Sequence, residues 1–202
     1  MGHSQAEKAL SRERILDSAA QQIREGGLDS LSIAELMKAA NLTHGGFYGH
    51  FGSRAELIAA ALDRALERGE AAFVDAKPAA GDTVKSIVNL YLSPAHRDKP
   101  GEGCAMAALA GDVGRAEDES LRLQLSARLE QSFAVLARAM GGEAQAQDAA
   151  ITAWCAMIGA LTLSRVFRGT DRSDQVLRIA RQSILDLEAH VRATTQPSES
   201  KN

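Results

Sequence analysis

Between Thr43 and His50 the chain reads T-H-G-G-F-Y-G-H, which places hydroxyl, imidazole and phenol groups beside two adjacent glycines. Those groups can donate to and accept from the edges of bases and the oxygens of phosphates. Phe47 and Phe51, four apart, can turn one side of a short helix inward. Thr43, His44, Gly45, Gly46, Tyr48 and His50 then stay available on the outside. Two glycines inside a helix cost about 1 kcal/mol each relative to Ala, and close approach of the bare backbone to another surface is the simplest compensation. The pattern suits a helix that enters the major groove of a duplex.

Such a segment needs elements that hold it. Ser32 and Glu35 form the S-x-x-E spacing of a capping box, and Leu31 and Leu36 supply a hydrophobic staple across it. Ile33, Leu36, Met37 and Ala40 recur at intervals of three and four, so one side of this helix is apolar. Asn41 tolerates the left-handed conformation needed for a sharp stop, and Thr43 is expected to cap the helix that follows. Ser53 and Glu56 repeat the capping box at the next helix start. Residues 32–50 therefore read as a helix-turn-helix.

From Arg12 to Leu62 the chain resembles the N-terminal DNA-binding domain of the tetracycline-repressor (TetR) family. The resemblance rests on Arg14-Ile15-Leu16, Ala19-Ala20, Gly26-Gly27-Leu28, Leu31-Ser32-Ile33-Ala34-Glu35-Leu36, His44 through Phe51, and Ser53-Arg54-Ala55-Glu56-Leu57. It departs from the family pattern at Asn41, where Gly is usual, at Gly49, where a larger residue often sits, and at Arg54, where Lys is common. A helix in the major groove offers its N-terminal residues to base edges, which assigns base reading to Thr43, His44, Gly45 and Gly46. The family's matching aromatic and histidine hold phosphates, so Tyr48 and His50 are expected to do so here. Ser32 and Arg54, each at a helix N-terminus, are expected to add phosphate contacts. The resemblance further implies a homodimer through the last two long helices, an inverted-repeat DNA operator, and a repressor released by a small-molecule effector.

Charge does not by itself announce nucleic acid. The 202 residues carry a formal charge of −3, and residues 1–55 balance six Lys or Arg with six Asp or Glu, so DNA affinity must come from local placement and from duplication. Cys104 and Cys155 show no metal or CxxC spacing, and neither metal nor cofactor is expected. No apolar run opens the chain, so no signal peptide is expected. The uncharged stretch 149–164 is shorter than the roughly 20 residues of a membrane helix and reads as a buried helix; membrane is not an expected partner, and the cytoplasm is the expected compartment. His96 lies eight residues before Cys104, but no third orienting residue accompanies the pair, and an enzyme is not expected.

The whole chain reads as all-α: a three-helix DNA-binding domain over residues 8–55, a helical ligand-binding and dimerisation bundle over 56–193, and a disordered tail over 194–202. Helices are expected at about 11–25, 53–74, 84–91, 104–113, 121–140, 147–168 and 173–192, with breaks at 75–81 and 93–103. Tyr91, Cys104, Met106, Leu109, Leu125, Leu129, Phe133, Trp154 and Ile158 could line a cavity for a hydrophobic effector. Cys104, at a helix start after a Gly/Pro-rich loop, could be a thiol reactive toward oxidants or electrophiles, whereas Cys155 reads as packing. A helical carrier or interaction module without operator binding is the alternative function.

Overall fold

The computed structural model describes residues 5–74, 83–142 and 144–195, and among these every regular element is a helix. In chain order they are α1 (Gln5–Gly26), α2 (Ile33–Ala39), α3 (Arg54–Val74), α4 (Thr83–Tyr91), α5 (Pro94–Asp98), α6 (Ala105–Arg115), α7 (Glu119–Met140), α8 (Ala144–Val166) and α9 (Asp171–Thr195). Three short 3₁₀ turns, Leu28–Ser30, His44–Gly49 and Pro100–Glu102, punctuate them. The expected break at 75–81 and most of the expected tail lie outside the described residues; α9 itself continues to Thr195.

Two boundaries differ from the sequence reading. Helix α1 begins at Gln5 rather than near Ser11. Residues 93–103 are not a plain loop, because Ser93 caps α5: its hydroxyl accepts from the His96 N–H at 3.2 Å, with Pro94 in the first turn. Proline at that position has no N–H to leave unsatisfied and a φ already suited to a helix, so the Ser-Pro pair starts a helix instead of breaking one.

The chain forms two compact units, residues 1–71 with 100–125 and residues 72–99 with 126–202. The division therefore does not follow the boundary at residues 55 and 56 read from the sequence. In the first unit Ile15, Ala19 and Ile23 of α1 are fully buried, as are Leu57, Ala61 and Leu62 of α3. Helix α1 packs against α2, α6 and the turns at 28–30 and 100–102. Arg24 is a buried cation satisfied by carbonyls: its Nε donates to Gly101 O at 2.7 Å and its Nη1 to Ala65 O at 3.5 Å. Asp112 of α6 accepts from the Leu28 N–H at 3.0 Å. Gly27 lies at φ 85°, and a Cβ there would stand 2.5 Å from the Asp112 carboxylate, so glycine is required on both counts. Arg64 of α3 reaches Asp17 at 2.6 Å and also pairs with Glu13, clamping α3 to α1.

In the second unit α8 and α9 pack along one another, with α4 and α5 laid against them. Small residues make this close contact feasible: Ala146, Ala149, Ala150, Ala153, Ala160 and Ser164 are buried on α8. Ser173 donates to Ser164 O at 2.7 Å. Arg97 bridges α5 to Ser173 at 2.9 Å and to Asp174. Tyr91 is fully buried and meets Trp154 edge-on with ring centroids 5.3 Å apart, while the indole N–H donates to Ser132 O at 3.0 Å.

Helix α8 corrects two expectations. It is 23 residues long and, by length and composition alone, apolar enough to cross a membrane, although 44% of that window is buried within the protein. It is also buried on one side only: Ile151, Cys155, Leu163 and Val166 are exposed. Cys155 is therefore a surface residue and not core packing.

Candidate nucleic-acid interface

The geometry of residues 32–51 follows from its caps. Ser32 Oγ accepts from the Glu35 N–H at 3.4 Å, as the capping-box spacing predicts. The reciprocal arm is different: the Ser32 N–H donates to Gln22 Oε1 at 3.4 Å, and Gln22 Nε2 donates to the Glu35 carboxylate at 3.3 Å. A side chain of α1 thus takes over half of the box and fixes α2 to α1. Leu31 and Leu36 are both buried, as the staple requires. At Asn41 φ is 57°, the only positive value at a non-glycine among the described residues, which reverses the chain after α2.

The segment His44–Gly49 winds as a 3₁₀ helix rather than a short α-helix, with Gly46 N–H to Thr43 O at 2.9 Å and His50 N–H to Phe47 O at 2.8 Å. Three glycines in six residues remove the propensity that would sustain an α-helix. Thr43 precedes it in extended conformation but makes no side-chain capping bond, so its hydroxyl is not committed to the cap expected of it. Phe47 and Phe51 are 2% and 1% exposed and stack at 5.7 Å. The two rings anchor the segment from beneath, as their spacing predicts.

Above that anchor, His44 and Gly45 are exposed and Tyr48 is 72% exposed. A Cβ at Gly45 or Gly49 would meet nothing within 4 Å, and at Gly46 it would meet Met37 Cε at 3.5 Å and Thr43 Oγ1 at 3.6 Å, both ordinary contacts. None of the three has a positive φ. Neither packing nor backbone conformation inside the chain calls for glycine at these positions.

His50 closes the segment. Its carbonyl accepts from the Arg12 guanidinium, which also lies 4.2 Å over the Phe51 ring and 3.5 Å from Glu56. Burial holds the His50 imidazole below its usual pKa of 6.5, with the charges of Lys8 and Arg12 acting in the same direction, so the ring is neutral at pH 7. Its Nδ1 is buried without a hydrogen-bond partner. Beside it opens a recess of about 400 Å³ lined by Lys8, Ser11, Asn41, Leu42, Thr43, Gly46 and His50. Lys8 and Ser11 carried no signal in the sequence: they sit one turn apart on α1, and only the packing of α1 brings them beside residues 41–50.

Ser32 and Arg54 stand at the starts of α2 and α3. Arg54 turns Nη2 toward the carbonyls of Leu28 and Leu31, 3.4 Å from each, so part of its fork is engaged with the protein. The nine residues expected around an effector are divided between the units: Cys104, Met106, Leu109 and Leu125 in the first, Tyr91, Leu129, Phe133, Trp154 and Ile158 in the second. Cys104, Met106, Leu109, Leu125, Tyr91 and Trp154 are buried, and the other three are partly so. Phe133 borders an open groove of about 360 Å³ with Glu130, Arg138 and Ile151. Among the described residues, no three His, Cys, Asp or Glu side chains are grouped to hold a metal ion.

Comparison with known proteins agrees with this geometry. Residues 15–61 match the family model described as bacterial regulatory proteins, tetR family. The chain is 27% identical over 186 residues to an uncharacterised HTH-type transcriptional regulator of Mycobacterium tuberculosis, covering 86% of this chain and 94% of that one. Its fold is similar to that of a TetR transcriptional regulator from Chloroflexus aurantiacus, with TM-score 0.77 at 22% identity over 94% of this chain and 96% of the other. It is similar also to a TetR-family regulator from Cytophaga hutchinsonii, with TM-score 0.75 at 20% identity over 94% and 98% of the two chains. With the helix-turn-helix, its buried phenyl pair and its exposed glycine-bearing turn in place, residues 15–61 form a DNA-binding domain of the type found in bacterial tetR-family regulatory proteins, and the chain as a whole shares the fold of TetR-family regulators.

Proposed function

We propose that the chain acts in the cytoplasm as a homodimeric repressor whose two copies read the half-sites of an inverted repeat, and that a small, largely hydrophobic or electrophilic effector lowers its operator affinity. The observation that carries the DNA-reading role is the segment 44–49: rigidly anchored by two buried rings, and glycine-bearing on the outside where nothing in the protein requires glycine. Within it His44, Gly45 and Gly46, with Thr43 before them, read bases. Tyr48, His50, Ser32 and Arg54 hold phosphates. We assign DNA reading to residues 8–55 and effector binding and dimerisation to 56–193.

Dimerisation is supported by the outer side of α8. At 100° per residue, Ile151, Thr152, Cys155, Thr162, Leu163 and Val166 fall within about 120° of the helix circumference, and all six are exposed. Ile179 of α9 is exposed as well. A second copy is the natural cover for such a surface, and two copies place two reading segments on successive turns of the duplex. For the effector, Tyr91, Leu129, Phe133, Trp154 and Ile158 are the residues we assign in the second unit. Tyr91 and Trp154 are core in this conformation, so a ligand among them selects an opened conformer and biases the DNA-binding equilibrium by its differential affinity.

Gel-shift titration against the intergenic DNA upstream of the protein's own gene tests the reading. Sequence-specific, salt-dependent binding is expected; Tyr48→Ala and His50→Ala weaken it on all sequences, and His44→Ala also relaxes base preference. Absent or salt-independent binding would refute operator recognition.

A further inference from the structure

The recess between the start of α1 and residues 41–50 is not accounted for by the helix-turn-helix itself. Its polar walls are the Lys8 ammonium, the Ser11 and Thr43 hydroxyls, the Asn41 amide and the His50 imidazole, and no acidic side chain lines it. That is unusual for a chain with a net charge of −3. The carboxylates at the neighbouring helix starts are already engaged, Glu35 by Gln22, and Glu56 by the Gly52 N–H at 2.7 Å and by Arg12. The positive charge of Lys8 therefore meets no compensating anion on the walls of the recess. Thr43 contributes no capping bond, and His50 Nδ1 is buried without a partner at the same place. Each of these groups has hydrogen-bonding capacity to spare for something that enters from outside.

Resting on the DNA-binding reading above, we infer that this recess seats a backbone phosphate of the duplex, with Lys8 and Ser11 on α1 and the phosphate-holding His50 at the end of the reading segment converging on one phosphodiester. The seat would extend the DNA footprint to α1, and it would set the depth at which Gly45 and Gly46 meet the base edges, because the same recess contains Gly46. Phosphate contacts of this kind fix register without carrying sequence information. Lys8 supplies the point charge, and the Ser11 hydroxyl donates a hydrogen bond to a phosphate oxygen.

The test is fluorescence anisotropy of the full chain on a labelled random-sequence duplex across a KCl series, for wild type, Lys8→Gln and Lys8→Arg. Each phosphate neutralised contributes about 0.9 to the slope of log affinity against log salt. Two copies in a dimer predict a slope shallower by about 1.8 in Lys8→Gln, so its affinity deficit shrinks about tenfold between about 50 and about 200 mM salt. Lys8→Arg keeps the wild-type slope. Lys8 is exposed, so Lys8→Gln retains the wild-type melting temperature. A wild-type slope in Lys8→Gln, with or without a uniform loss of affinity, overturns the phosphate seat and leaves the DNA-binding reading standing. A wild-type chain that binds no duplex overturns both.

Discussion

Replacing Gly45 by Ala separates what the fold needs from what a DNA surface needs. A Cβ at this position meets nothing within 4 Å, and the backbone has no positive φ there. Alanine also loses less backbone entropy than glycine on folding, so a compatible Gly→Ala change stabilises by about 0.4–1 kcal/mol. For a unit of this size that raises the melting temperature by roughly 2–8 °C, since 1 kcal/mol shifts a domain of about 100 residues by about 4–8 °C. On DNA the sign reverses. If the backbone at 45–46 lies against base edges, one added methyl must displace the segment, and loss of a single bidentate base contact costs about 1–3 kcal/mol, roughly 5- to 150-fold in affinity. Differential scanning fluorimetry and operator titration on the same preparation read both numbers. Gly27→Ala is the contrasting control, because φ 85° and a Cβ 2.5 Å from Asp112 make it destabilising. A Gly45→Ala protein that is more stable and binds its operator as tightly as wild type would refute the close-approach argument.

Three further outcomes follow from the packing. Phe51→Ala removes a fully buried ring stacked on Phe47 and lying under Arg12; it should cost about 3–5 kcal/mol and abolish DNA binding, as read by chemical denaturation and gel shift. Burial, opposed by the hydrogen bond to Tyr91 O and aided by Arg165, holds His96 below its usual pKa of 6.5. The folded state then binds fewer protons than the unfolded chain just below that pH, so stability is level above about pH 6.5 and falls on acidification until the folded pKa is passed, by at most about 1.4 kcal/mol per pH unit. Thermal melts between about pH 7.5 and about pH 5 should show a smaller decline in His96→Asn, which keeps a donor for Tyr91 O but does not titrate. Val166→Glu places a charge at a residue 74% exposed on α8; light scattering should show a monomer with the helical content of wild type, and a persistent dimer would remove α8 from the interface.

The sequence was most informative where the physics is local. Ser32 and Ser53 accept from the N–H groups three residues on and Asn41 turns the chain through its own backbone angles, as read, whereas the carboxylate arms of both capping boxes go elsewhere, Glu35 to Gln22 and Glu56 to the Gly52 N–H. The spacing of Phe47 and Phe51 likewise implied an inward pair, and the apolar periodicities located the long helices.

What tertiary structure alone decided is everything carried by contacts distant in sequence. Gln22 replaces half of a capping box, residues 100–125 join the first unit through Arg24 and Asp112, and Lys8 and Ser11 come to stand beside Thr43 and His50. It also settled which side of α8 faces outward, since a helix apolar on most faces has no pattern that names its buried side. Local chemistry fixes caps and turns because its partners are neighbours along the chain; the recess beside Lys8 and the unit boundaries depend on which helices meet, and that is written in the packing of whole surfaces rather than in any short run of residues.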